Sequence, residues 1–379
     1  MTIKGMENHM RLGVTAALVD NRLVDGDVEV ADGRIVAVGL PIGADVPRRT
    51  AAPGLVDVQV NGGAGIDLLS ADVDGVHAIA RALARAGVLA WLPTLVTAPE
   101  ERTRAALFVL AEARATLPDD VARPLGVHLE GPFLSPDRLG VHDPRSRRDP
   151  TPALLDALLD PAVRMVTLAP ELPGADAAIA TLVARGITVS LGHSDATADQ
   201  ACRAVDAGAR AVTHVGNAMR PLSARDPGLL GVALTDPRLQ VQVILDGHHL
   251  APETERLVLE TTRGRLVLVS DAGALAGSDG TKGAAELGGQ PVAVVDGVAR
   301  RADGTIAGSV LFLDRALARA VAAGADPVDA LLGATARPAE LVGDPDAGRL
   351  TVGGPADLVV LDEGFAVVRV LRGGREIPR

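Results

Sequence analysis

Eight short apolar runs, rich in β-branched residues and each closed by a turn, constrain this chain more than any other feature. They are GLVDVQV (54–60), VLAWLPTLV (88–96), LGVHLE (125–130), RMVTLAP (164–170), ITVSLGH (187–193), RAVTHV (210–215), VQVILD (241–246) and LVLVSD (266–271). Stretches at 73–86, 99–115, 152–159, 176–185, 197–207 and 252–262 carry Ala, Leu and Arg in amphipathic helical patterns and separate most of the runs. Strands that alternate with helices build a parallel sheet. Eight such units predict an α/β fold, a closed (β/α)8, TIM-like barrel. An open doubly wound sheet is the alternative. It needs a glycine-rich phosphate loop after its first strand, and NGGAG at 61–65 is neither GxGxxG nor followed by a Walker-type lysine.

The two ends read differently from the middle. Residues 11–50 form short alternating strands, with turn signals at Asp25-Gly26 and Asp32-Gly33, and residues 345–379 return to that style. The reading is a small β-sandwich domain assembled from both termini, 1–50 and 345–379, around a barrel at 51–344. A hairpin-like insert at 283–306 follows the eighth run, before a last helix near 309–323. At 379 residues, the chain has room for a barrel plus an accessory domain.

Charge and cysteine usage exclude several classes. The formal net charge is -11, with no basic stripe, which argues against a nucleic-acid partner. The single cysteine, Cys202, excludes an intrachain disulfide framework. No early segment has the length and flanks of a signal peptide, and no run of about twenty apolar residues could span a bilayer. A cytoplasmic enzyme is expected. The first ten residues, with Met1, Met6 and Met10, read as leader.

Six of the eight histidines fall where an apolar run breaks into a turn: His128, His142, His193, His214, His248 and His249. His9 and His77 lie outside such places. The chain has four Phe, one Trp and no Tyr, so it makes little packing use of rings. In a barrel, catalytic groups sit at the C-terminal strand ends. Asp57, Gln59, Glu130, His193, His214, Asp246 with its two histidines, and Asp271 all fall there. One carboxylate and two imidazoles from three strands suit a catalytic zinc site, and Glu130, His193 and His214 meet that requirement. Bound metal would lower the pKa of water and polarise a carbonyl. Asp271 would take the water's proton and pass it to a leaving amine. The set reads as metal-assisted hydrolysis of an amide or ester.

Longer strings carry a family likeness: PGLVDVQVNGGAGID (53–67), LGVHLEGPFLSP (125–136), GVHDP (140–144), LGHSDAT (191–197), THVGNAMRPLSARDPGLLG (213–231), DGHHL (246–250), SDAGALAG (270–277) and AGSVL (307–311). In this order they resemble the amidohydrolase superfamily and, within it, the N-acetylglucosamine-6-phosphate deacetylase family. The resemblance implies that Glu130, His193 and His214 bind one divalent metal ion. Zinc is the expected ion, and iron, cobalt or manganese could fill the same N/O site. It further implies that Asp271 is the general base and then acid, and that His142 polarises the acetyl carbonyl. Asn217 and Ala218 would offer backbone N–H groups to a sugar phosphate at a helix N-terminus. Arg225 would pair with that phosphate from the neighbouring subunit of a homodimer, and His249 would contact the sugar. His248 is read as structural.

Many superfamily members hold a second metal with His-x-His at the end of the first strand. Here Asp57-Val58-Gln59 is read at that place, which implies one functional metal, with Asp57 a structural carboxylate under the site. The implied reaction converts N-acetyl-D-glucosamine 6-phosphate to D-glucosamine 6-phosphate and acetate. The alternatives are the N-acetylgalactosamine epimer, another amidohydrolase substrate, and a non-catalytic barrel scaffold, which would have lost its ligands.

Overall fold

The computed structural model describes residues 9–43, 45–277 and 283–379. The proposed leader lies mostly outside them. Eight parallel strands pair in chain order: β1 (Leu55–Val60), β2 (Val88–Val96), β3 (Val127–Glu130), β4 (Val163–Leu168), β5 (Thr188–Leu191), β6 (Ala211–Val212), β7 (Gln240–Ile244) and β8 (Leu266–Val269). Just beyond β8, Ala272 bridges Val60 in parallel, and its carbonyl accepts the Asn61 N–H at 2.7 Å. That contact brings the last strand back to the first. Every residue of β1, β2, β3 and β8 is buried, which is why these runs read as continuously apolar rather than alternating.

The helices are α1 (Val73–Arg85), α2 (Glu100–Ala115), α3 (Pro152–Leu158), α4 (Ala175–Ala184), α5 (Ala198–Asp206), α6 (Gly228–Thr235), α7 (Pro252–Thr261), α8 (Leu313–Ala322), α9 (Pro327–Gly333) and α10 (Ala336–Leu341). α1 shows the local logic. The Asp72 carboxylate caps it by accepting the Gly75 N–H at 2.8 Å, and its buried face is Val76, Ile79, Ala80, Leu83 and Ala84. Thr197 and Gln200 form a reciprocal capping box on α5. Three helices have no counterpart in the sequence reading. α6 buries six of its eight residues, so it has no polar face to give it a period. α9 and α10 close the N-terminal end of the barrel, where Val56 donates to the Ala334 carbonyl at 2.8 Å.

Both chain ends enter one six-stranded sheet, in the order 375–376, 367–372, 358–361, 50–53, 16–19 and 22–25. A three-stranded sheet of 10–11, 27–31 and 34–40 packs on it over Val14, Val28, Ile35, Leu358 and Leu371. Asp32 and Gly33, both at positive φ, make the expected hairpin turn. Asp25-Gly26 does not. Gly26 is instead the corner where the chain changes sheets, and a Cβ there would stand 2.5 Å from the Gly39 carbonyl carbon. The neighbouring hairpin turns at Asp20-Asn21, also at positive φ. The insert forms three antiparallel strands, 284–287, 290–295 and 298–300.

A candidate metal centre at the barrel mouth

Glu130 is the last residue of β3, while His193 and His214 each lie two residues past β5 and β6. Glu130 Oε1 is 3.1 Å from Nε2 of each histidine, and the two Nε2 atoms are 3.0 Å apart. All three residues are buried. His193 and His214 have φ of 48° and 29°, in the left-handed region, as does Asp271 at 50°. Such backbones cost of order 1–3 kcal/mol each. Asp271 is held there by the Ser309 N–H, which donates to its carbonyl at 2.8 Å.

His193 Nδ1 lies 2.9 Å from the Arg138 carbonyl, which can only accept. Nδ1 therefore carries the proton, and Nε2 of the neutral ring turns a lone pair toward Glu130 and His214. Burial alone would raise the Glu130 carboxyl, and only when the two rings are protonated and donate to it do they outweigh burial and hold it well below the usual range. A carboxylate and imidazole lone pairs within about 3 Å of one another repel unless a cation lies among them. The donor set thus fits a divalent metal.

Asp271 faces this triangle. Its Oδ1 accepts from Asn61 Nδ2 at 2.6 Å and from Gln59 Nε2 at 3.1 Å, and Gln59 Nε2 also donates to Glu130 at 3.0 Å. Burial and the nearby Glu130 push the Asp271 carboxyl up to about 8. The pair reaching the site from the first strand is therefore Gln59 and Asn61. This corrects the reading that put Asp57 and Gln59 there. Asp57 lies one step deeper on the same face, accepting from the backbone N–H groups of Gln59 and Ser270 at 3.2 and 3.3 Å. Burial pushes its carboxyl up to about 7.

His142 arrives on a loop, and its Nδ1 accepts the Thr97 N–H at 3.1 Å. Nε2 therefore bears the hydrogen, 3.9 Å from Glu130 Oε1. Burial and the neighbouring His193 lower its pKa to about 3, so the ring is a neutral N–H donor. His249 Nδ1 is 2.8 Å from Asp246 Oδ2. Burial acts to raise that carboxyl, but His249 and two backbone N–H groups hold it well below its ordinary value. His248 is exposed. His128 does not join the cluster. It sits within the barrel, with Nε2 2.8 Å from Thr167 Oγ1, and burial lowers its pKa to about 4.

One cavity of about 320 Å³ is lined by Glu130, His142, His193, His214 and Asp271, together with Asn217, Ala218 and His249. The segment carrying Asn217 and Ala218 is a turn, not the expected helix N-terminus; α6 starts only at Gly228. The Asn217 N–H donates to the His214 carbonyl at 3.0 Å. Arg225 is exposed and is not among the lining residues. Sequence reasoning gave no role to Asn61, Thr97 or Arg138. Asn61 stood inside a matched string and two residues beyond Gln59, which was its available signal. The Thr97 and Arg138 contacts run through backbone atoms, which carry no side-chain signature.

The amidohydrolase family model matches residues 50–377. N-acetylgalactosamine-6-phosphate deacetylase of Escherichia coli O157:H7 is 39% identical over 356 residues, covering 92% of this chain and 93% of its own. N-acetylglucosamine-6-phosphate deacetylase of Vibrio furnissii is 35% identical over 363 residues, with coverages of 94% and 89%. Among solved structures, an aspartate-to-alanine mutant of N-acetyl-D-glucosamine-6-phosphate deacetylase from Mycobacterium smegmatis, in complex with N-acetyl-D-glucosamine-6-phosphate, is similar at 40% identity and a TM-score of 0.87. That match covers 98% of this chain and 100% of the other.

Proposed function

The chain belongs to the amidohydrolase family, and from that premise we propose that it hydrolyses N-acetyl-D-glucosamine 6-phosphate to D-glucosamine 6-phosphate and acetate. One observation carries the reading: the Glu130–His193–His214 triangle, the Asp271 carboxylate and the His142 N–H open into one cavity. A scaffold that had lost its chemistry would not keep all five together.

Glu130, His193 and His214 would hold one divalent metal, zinc being the ion that two imidazoles and a carboxylate suit best. Such an ion supplies a Lewis acid that polarises the amide carbonyl and eases deprotonation of water. Asp271, kept ionised when the cation's charge offsets the burial and the Glu130 charge that raise it, removes the proton from the attacking water and returns it to the departing amine. Gln59 and Asn61 keep its carboxylate aimed by donating to Oδ1. His142 donates Nε2–H to the acetyl oxygen as negative charge grows there. His249, oriented by Asp246, contacts the sugar, and the Ala218 N–H faces the phosphate, the Asn217 N–H being given to the His214 carbonyl. Arg225, exposed and outside the cavity lining, suits a homodimer in which Arg225 of the partner subunit completes the phosphate site. In this reading the described residues of 1–50, with 345–379, belong to the small domain and those of 51–344 to the barrel, strand 50–53 spanning the boundary. No helix among the described residues is long and apolar enough to cross a membrane, and we place the enzyme in the cytoplasm.

The epimer N-acetylgalactosamine 6-phosphate is the second reading, favoured by the Escherichia coli O157:H7 relative. Acetate release from both phosphorylated epimers and their unphosphorylated forms tests the proposal. The higher kcat/KM is expected on N-acetyl-D-glucosamine 6-phosphate. A preference for the other epimer moves the assignment to it, and release without regard to phosphate defeats both.

A further inference from the structure

We infer that Val96 and the hairpin residue Leu287 form the wall that limits the size of the acyl group, and that Asp67 is the positioning residue that sets this wall. The inference rests on the deacetylase reading above. The insert's first hairpin turns at Gly288 and Gly289, with φ of 62° and 81°. A Cβ on Gly288 would stand 2.6 Å from Val96 Cγ2, so the hairpin tip lies directly on Val96. The Gly288 N–H donates to Asp67 Oδ2 at 3.0 Å, while Asp67 Oδ1 accepts from Leu69 N–H at 3.4 Å. The tip is thereby tied to the barrel rim rather than left in solvent. Leu287, next in the chain, is only 3% exposed and lines the cavity alongside Val96.

The position of Val96 gives the wall its meaning. Val96 pairs in register with Glu130 and precedes Thr97, whose N–H orients His142. It therefore flanks His142, whose Nε2–H is read to meet the acetyl oxygen. The acyl tail shares its carbon with that oxygen and lies about 2.4 Å from it. The sugar nitrogen leaves the same carbon toward Asn217, Ala218 and His249, so the tail is directed to the apolar side. Added methylenes on that side run toward Leu287 and Val96.

The test is an acyl series, N-formyl, N-acetyl, N-propionyl and N-butyryl glucosamine 6-phosphate, with released acid measured for wild type and variants. Leu287→Ala should raise the propionyl-to-acetyl ratio of kcat/KM by roughly 10- to 200-fold, the range for a methylene in an apolar pocket. Leu287→Phe should move selectivity the other way, toward formyl, so one variant decides if the other fails to fold. Asp67→Ala should flatten the acyl preference. Asp67→Asn, whose amide oxygen can still accept from Gly288, should restore it; a merely structural role gives no such selective rescue. Wild-type acetate release with acyl ratios unmoved in the Leu287 variants overturns the wall and leaves the deacetylase reading standing. A wild type that releases no acid from the whole series overturns both.

Discussion

Replacing His142 by Asn separates two consequences of one buried ring. The Asn amide oxygen can take the place of Nδ1 and keep accepting the Thr97 N–H, which is 3.1 Å away. What disappears is the Nε2–H donor and the titratable imidazole. Loss of a preorganised donor to a developing oxyanion typically costs about 10²–10³ in kcat, or ~2.7–4 kcal/mol, with little change in KM. The second consequence is acid sensitivity. An unfolded histidine titrates near ~6.5, whereas folded His142 titrates at about 3, because it is buried beside His193. Between those values the unfolded chain holds a proton that the folded chain lacks. Stability is therefore complete above the unfolded value and falls as pH drops toward the folded one. From pH 7 to pH 4 this single group should remove about 3 kcal/mol. Urea unfolding of metal-stripped wild type and His142→Asn at the two pH values isolates it, since other groups cancel in the difference. The variant should lose about 3 kcal/mol less than wild type on acidification. An equal loss in both proteins, or a kcat within threefold of wild type, would refute the assigned tautomer and role.

Asp271→Asn should keep metal and substrate binding while turnover falls by roughly 10²–10⁴, the usual contribution of a general acid–base group; near-native kcat removes it from that role. Purified wild type should carry about one tightly held divalent metal per chain, which Glu130→Ala or His193→Ala empties. Gln59→His with Asn61→His should raise the metal content toward two by elemental analysis; one equivalent in that double variant would mean these positions do not face the metal. Arg225→Ala should weaken binding of the phosphorylated sugar by roughly 1.5–3 kcal/mol and spare the unphosphorylated one. Mixing Arg225→Ala with Asp271→Asn chains should restore activity if the site is shared, and confirmed subunit exchange without rescue places Arg225 within its own chain.

The fold was legible because eight buried strands must be apolar on both faces and the helices between them on one. The run at 88–96 coincides with β2 residue for residue. α6, α9 and α10 were not legible. α6 has too little polar surface to show a period, and α9 and α10 are short helices at the barrel's N-terminal end. Glu130, His193, His214 and Asp271 could be picked from sequence because strand ends of one barrel share a mouth. His128 could not be separated from them by that argument. It lies two residues before Glu130, on the same strand face, and only the depth along β3 hides it among Thr94 and Thr167. The place of the His-x-His pair was misread on depth as well: residues 57, 59 and 61 share a face, and the sequence does not mark that Gln59 and Asn61 stand at the rim with Asp57 the structural carboxylate beneath them.

The sheet made from both ends of the chain also sets a timetable for synthesis. Strand 50–53 pairs with 16–19 on one edge and with 358–361 on the other, Pro53 opposite Leu358. Its second partner is translated roughly 300 residues later, a delay of ~15–60 s at ordinary elongation rates of about 5–20 residues per second. Throughout that interval the nascent amino terminus carries an unpaired strand edge, and Val14, Val28 and Ile35 lack the carboxy-terminal residues that cover them. The barrel has time to close first, and the accessory sheet is completed only after the last strands leave the ribosome. Truncating the final strands should therefore expose an aggregation-prone edge near the amino terminus while the distant catalytic mouth keeps its shape.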